Sequence, residues 1–245
     1  MPAPVTPIEE TIEALVHAVA PLRFGPPVAY VYNPLEYAGE GFRRYARRFG
    51  RPPKEILLLG MNPGPWGMAQ TGVPFGEVAA VAGWMGIEAP VAAPPAVHPK
   101  KPVDGFACPK SEASGRRLWG WARARFGDPA VFFSRFFVIN YCPLMFLDAA
   151  GGNRTPDKLK KAEQAPLFAA CDAALRATVR YFRPRWVVGV GVFAEARARE
   201  ALAGAEVAVA GITHPSPANP RANRDWAGRI EAELSAVGIE IQAEG

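Results

Sequence analysis

The stretch EILLLGMNPGPWG, residues 55–67, decides the fold. Its first half is an unbroken apolar run, too short for a helix, that stops abruptly at glycine and proline; this is how a strand buried on both faces reads. Three more runs of the same kind follow: FFVIN at 136–140, WVVGVG at 186–191 and EVAVAGI at 206–212. Helix-length material separates them, with helical segments expected over Ser114–Phe126, Lys158–Phe182 with Pro166 marking a break, Phe193–Leu202 and Ala222–Val237. Another helix opens the chain at Thr6-Pro7-Ile8-Glu9, a capping box with proline in the first turn, and runs to about Val19. Strands alternating with helices predict an α/β fold: a three-layer α/β/α sandwich around a mostly parallel four-stranded central sheet. No linker, repeat or change of composition divides the chain, so one domain over 1–245 is expected.

The 245 residues are 49% hydrophobic and 21% charged, ordinary globular usage that excludes a largely disordered chain. Twenty-six prolines and 24 glycines without a period indicate many shaped loops. A net charge of +5 mildly favours a polyanionic partner. The segment 41–54, with Arg43, Arg44, Arg47, Arg48, Arg51 and Lys54 and no acid, is either a solvated helix face or a surface for DNA; the sequence leaves both open. Three scattered cysteines, Cys108, Cys142 and Cys171, form no CxxC pair, which suits a reducing compartment. There is no basic, apolar leader and no run of about 18 apolar residues, so neither export nor a membrane span is expected.

In open parallel sheets ligands bind beyond the carboxyl ends of the strands, so the segments following each strand carry the argument about function. They place Asn62, Asn140 and His214 at one end of the sheet. From Gly60 to Gly76 the chain reads GMNPGPWGMAQTGVPFG, with no Asp, Glu, Lys, Arg or His. Its glycines permit close backbone approach and its prolines restrict the loop, which predicts a preformed, uncharged cavity with Phe75, Trp66 and Met68 as apolar faces and Asn62 as donor and acceptor. A planar heterocycle is the natural guest. The competing reading, aromatics filling core and an Asn capping a turn, stays open at this point. HPSPANPRAN, 214–223, is a stiff, exposed projection with His214 at its base. Ser216 lies too close to His214 for a hydrolase triad, and no GxSxG elbow exists. The GxGxxA match at 189–194 is read as tight strand-to-helix packing, and Cys142 as a small buried hydrophobe. No His/Cys spacing suggests a metal or iron–sulfur site.

GMNPGPWGMAQTGVPFGEV (60–78), HPKKPVDGFACPKSEASGRRLWGW (98–121), NYCPL (140–144) and HPSPANPRANRDW (214–226) together resemble the single-strand-selective monofunctional uracil-DNA glycosylase family, in that family's order. The resemblance implies the uracil-DNA glycosylase fold and hydrolysis of the bond between deoxyribose and a damaged base, uracil or 5-hydroxymethyluracil, in single- and double-stranded DNA. It implies no cofactor. By position, Asn62 orients the hydrolytic water and His214 stabilises the departing base; Phe75 is the stacking platform and Asn140 reads the pyrimidine edge. Gly64 and Met68 border the space around C5. The loop carrying Ser216, Pro217, Ala218, Asn219, Arg221 and Asn223 wedges into the duplex. Ala218 departs from the pattern, standing where members of that family carry a basic side chain. A monomer is expected, cytoplasmic and nucleoid-associated in a bacterium, nuclear in a eukaryote.

The residues make this chemistry intelligible. Eversion costs a few kcal/mol, and stacking on Phe75 returns about 1–3. Glycosidic cleavage leaves negative charge on the base, where His214 offers a donor. An amide is no base, so Asn62 holds water for a largely dissociative reaction. Neither loop supplies a carboxylate, which argues against base-driven attack, nor a lysine for a Schiff base, which predicts a monofunctional enzyme. Asn140 needs a second partner to fix its amide, which the sequence does not name. A non-catalytic module binding single-stranded DNA or damaged bases is the alternative.

Overall fold

A computed structural model describes residues 6–241; residues 1–5 and 242–245, which the expected domain includes, lie outside the described residues. The strands are β1 (Val28–Tyr32), β2 (Ile56–Gly60), β3 (Phe136–Asn140), β4 (Met145–Asp148), β5 (Asn153–Arg154), β6 (Trp186–Val190) and β7 (Ala208–Ile212). The α-helices are α1 (Pro7–Val19), α2 (Pro34–Tyr37), α3 (Gly39–Phe49), α4 (Met68–Thr71), α5 (Ala113–Phe126), α6 (Pro129–Arg135), α7 (Lys161–Phe182), α8 (Val192–Ala201) and α9 (Trp226–Ser235).

The four apolar runs form one parallel sheet in the order β3-β2-β6-β7. Every residue of β2 is buried, as two covered faces require. The chain moves one way from β2 to β3 and the opposite way from β3 to β6 and β7. Right-handed crossovers therefore put α5 and α6 on one face and α7 and α8 on the other. The last helix, α9, returns to pack on α5 and β7. Because β2 sends its chain to one face while both its neighbours send theirs to the other, the crevice opens at its carboxyl end.

Three strands escape the pattern of long apolar runs. β1, β4 and β5 form a small antiparallel sheet in the order β1-β4-β5. VAYVY alternates exposed and buried positions, and MFLD is only four residues long. Pro166 does not break α7, which runs through it for 22 residues. Pro166 is exposed, so the Ala162 carbonyl it deprives of a partner lies on the side where water can reach it. The capping box of α1 forms as read: the Thr6 hydroxyl accepts from the Glu9 N–H, and Glu9 Oε2 accepts from the Thr6 N–H at 2.7 Å.

Candidate active site

Strand register brings the three polar residues together. Gly60 pairs with Asn140 across β2 and β3, and Tyr141 and Cys142 prolong that pairing by donating to the Gly60 and Met61 carbonyls at 2.9 Å. Val190 pairs with Ile212 across β6 and β7. Asn62 and His214 thus each stand two residues beyond a strand end. With Phe75 and Ser216 they line one cavity of about 350 Å³, whose rim also carries Ser114, Asn153 and Thr155. That volume lies at the small end of the range for ligand sites.

Each group is held in one orientation. Asn62 Nδ2 donates to the Leu144 carbonyl at 3.2 Å, leaving Oδ1 as the acceptor. His214 Nδ1 accepts the Ser216 N–H at 3.0 Å, so the neutral ring carries its proton on Nε2. Burial holds the His214 pKa below the ordinary imidazole value, and a protonated Nδ1 would face another donor; the ring is therefore a neutral donor. Asn140 Nδ2 donates to Met68 Sδ at 3.1 Å. A thioether accepts but cannot donate, so flipping this amide would set two acceptors against each other. Met68 is thus the partner that the sequence does not name. It is 2% exposed and lies behind Asn140, not on the cavity wall where the C5 border was expected.

Phe75 adopts φ of 52°, unusual for a non-glycine residue, and its ring centroid lies 6.3 Å from that of His214. Three contacts sustain this conformation. The Trp119 indole donates to the Phe75 carbonyl at 2.9 Å and the Glu77 N–H at 2.7 Å, while Gly115 lets that carbonyl approach where any Cβ would clash with it. Gly60 is required for the same reason: a Cβ there would strike both Asn140 Oδ1 and the Phe75 ring.

The N-terminal part of α5 organises the site, a role the sequence reading did not assign. Gly115 and Trp119 hold Phe75, Ser114 reaches the cavity, and Arg117 donates to the Pro215 carbonyl at 2.8 Å and to Asn223 Oδ1 at 3.2 Å, tying down the His loop. Glu112 lines the cavity too. The two strand-end loops carry no carboxylate, as expected of them, but the cavity does: the acid comes from a helix start between them. Its carboxyl group occupies the space that a Cβ at Gly64 or Gly67 would need. Burial, reinforced by the nearby Glu77 carboxylate, pushes its pKa up to about 7.

The remaining candidates divide by position. Gly64 lines the cavity. In the His loop, Pro217, Ala218 and Arg221 are exposed, and the loop is internally bonded: Ala218 N–H donates to Ser216 Oγ at 3.2 Å, Asn219 Nδ2 to the His214 carbonyl at 3.2 Å and Asn223 Nδ2 to the Pro217 carbonyl at 3.1 Å. The basic stretch 41–54 takes no part. Arg43 and Arg44 pair with Glu40, Arg47 pairs with Glu9, and Arg51 and Lys54 precede β2 at the end opposite the cavity. Gly189 packs against the backbone of α8, as the GxGxxA reading expected, and Gly191, at φ of 93°, makes room for His214. Cys142 is fully buried. Among the described residues no three His, Cys, Asp or Glu side chains gather as a metal site would, and no helix is long and apolar enough to cross a membrane.

Comparison with known proteins places this arrangement. The model of the Uracil DNA glycosylase superfamily matches residues 48–234. The single-strand selective monofunctional uracil DNA glycosylase of Mus musculus is 51% identical over 220 residues, covering 89% of this chain and 79% of that protein. That of Bos taurus is 50% identical, with 89% and 81% covered. The crystal structure of wild-type Pedobacter heparinus SMUG2 superposes with a TM-score of 0.67 at 16% identity, covering 93% of this chain and 96% of that one, which supports the fold alone. The chain belongs to the uracil DNA glycosylase superfamily and, within it, to the single-strand selective monofunctional group.

Proposed function

We propose that this protein is a monofunctional DNA repair glycosylase that hydrolyses the N-glycosidic bond of uracil or 5-hydroxymethyluracil everted from single- or double-stranded DNA, leaving an abasic site. The observation that carries the reading is one cavity receiving a fixed acceptor, Asn62 Oδ1, and a neutral donor, His214 Nε2–H. As the N1–C1′ bond breaks, its electron pair leaves with the base and charge collects on the pyrimidine oxygens. A neutral N–H aimed at that charge stabilises it by a hydrogen bond, with no proton transferred to the departing base. Water held by Asn62 adds to C1′ and gives up its proton to solvent. The Asn140 amide, kept from flipping by Met68, donates one N–H to O4 and accepts from N3–H; cytosine presents the reverse pattern.

Stacking on Phe75 and the exposed tip of the His loop, Pro217 to Asn223, serve eversion and its retention. Trp66 extends the DNA-facing surface: Lys110 Nζ lies 4.1 Å and Lys101 Nζ 4.9 Å from its ring centroid, the pairing of aromatic face and cation suited to a nucleic acid strand. The protein acts as a monomer and needs no cofactor. Free-base release from oligonucleotides carrying different damaged bases, single- and double-stranded, tests the proposal. Multiple turnover on uracil with the sugar-phosphate chain intact is expected; tight binding with every glycosidic bond intact would make the protein a non-catalytic binding module.

A further inference from the structure

Glu112 is an acid in the cavity that the mechanism above does not use. Oε2 is shielded from solvent and has no hydrogen-bond partner among the described residues, a costly position for an ionised carboxylate but tolerable for the neutral acid. The charged group that bears on it is a second acid, Glu77, whose Oε2 accepts the Ala80 N–H at 2.9 Å. Among the described residues no cation pairs with Glu112. On its own helix Arg116 donates to Ser111, and Arg117 is engaged by Pro215 and Asn223; Lys110, two residues earlier, lies over Trp66. Across the cavity His214 is neutral, and from the facing loop only the Gly67 N–H bears on the carboxyl group.

We propose that Glu112 is a positioning residue that acts as the neutral acid: it packs against Gly64 and Gly67 to shape the wall facing the base, and its ionisation opposes the base's departure. The proposal rests on the glycosylase reading, because the physical conflict is between two negative charges in one small cavity, the carboxylate and the leaving pyrimidine. With the carboxyl group ionising near pH 7, release of the base slows as pH rises through that value.

Single-turnover release of uracil from pH 5.5 to 9, compared between the wild type and Glu112→Gln, is the test. The amide keeps the shape and cannot ionise. The wild-type rate is expected to fall by roughly 30-fold from its plateau to pH 8.5, the ratio of ionised to neutral acid 1.5 units above its pKa. Glu112→Gln is expected to stay within about threefold of that plateau throughout. His214 protonation shapes the acid limb of both profiles alike. The same alkaline fall in both proteins overturns the proposal, as does a wild type fastest above pH 8 with Glu112→Gln slow everywhere. Carboxyl ¹³C titration of glutamate-labelled wild type reads the group without a variant: a glutamate titrating near pH 7 supports the proposal, and none titrating above 5.5 overturns it. Absence of uracil release at any pH would defeat the glycosylase reading instead, which this titration keeps distinct from the ionisation of Glu112.

Discussion

The two loops that close the cavity from opposite sides are held in opposite ways. From Gly67 to Glu77 every residue of the first loop is buried; contacts reaching in from α5 hold its Phe75 end, and Tyr37 and the backbone of residues 102–105 hold Ala69 and Gln70. The His loop is exposed at Pro217, Ala218, Pro220 and Arg221; its base is clamped by Arg117 and by the Trp226 indole, which donates to the Thr213 carbonyl at 2.8 Å. Arg117 also reaches Asn223 Oδ1 and Arg229 Nε donates to the Arg221 carbonyl at 3.0 Å, so that among the described residues the turn at Pro217 and Ala218 is held by the loop's own bonds. Groups that must meet the reacting atoms to within a fraction of an ångström sit where a strand end or a helix fixes them. Groups that must adapt to a DNA strand sit at a tip with little behind it. Substitutions at the loop bases are therefore expected to change rate, those in the buried loop to change folding and rate together, and those at the tip to change binding alone.

His214→Ala should have the largest effect. Removing a donor aimed at developing charge costs about 10²–10³ in rate. The rest of the clamp survives, so affinity for a non-cleavable oligonucleotide is expected to change less than about threefold. Equal losses in release and in binding would show that His214 belongs to the binding surface and would erase the contrast between base and tip.

Gly115→Ala probes the buried loop. The added methyl meets the Phe75 carbonyl, which is backbone and cannot swing away. Overpacking of this kind costs about 1–3 kcal/mol, read as a melting temperature lowered by several degrees, with a slower release rate because Phe75 moves. Alanine tolerated on both counts would mean that α5 does not set the position of Phe75.

The parts of this molecule legible in its sequence are those whose signal is local. Four apolar runs, three of them ending in Gly or Asn, are enough to lay out a parallel sheet, and topology then dictates that Asn62, Asn140 and His214 share one end of it. Glu112, Gly115 and Arg117 were invisible as site residues because nothing in SEASGRR states which loops its helix will touch. Their meaning lies in contacts with residues 35 or more positions away, such as Phe75 and Pro215. The small sheet was missed for another reason: β1 and β4 are short and lack the unbroken apolar reading of a doubly covered strand. Pro166 misled because proline's cost depends on whether the orphaned carbonyl faces water, and periodicity does not report that.

Met68→Leu tests the hydrogen bond that holds the Asn140 amide in one orientation. Leucine keeps the volume and removes the sulfur acceptor, so Asn140 is free to flip. Stability is expected to change by less than about 1.5 kcal/mol, while uracil-over-cytosine selectivity in a competition assay falls by several-fold. The hydrogen bond lost is a weak one. Selectivity unchanged with leucine in place would leave the orientation of Asn140 without its proposed cause.

The smallest effect is expected at the exposed tip. Ala218 contributes no charge, and its N–H is already satisfied by Ser216 Oγ, so a longer side chain can be added without disturbing the loop's internal bonds. Ala218→Lys adds a single cation where the loop faces DNA. If it reaches one phosphate, the slope of log affinity against log salt concentration steepens by about 0.9 on duplex DNA and about 0.7 on a single strand. Single-turnover release at saturating enzyme should not change, because Ala218 does not line the cavity. Multiple turnover should slow, since the same contact holds the abasic product. A faster chemical step, or an unchanged salt slope, would mean that the tip either reaches the reacting centre or never meets the strand, and the division of labour between the two loops would fail at its exposed end.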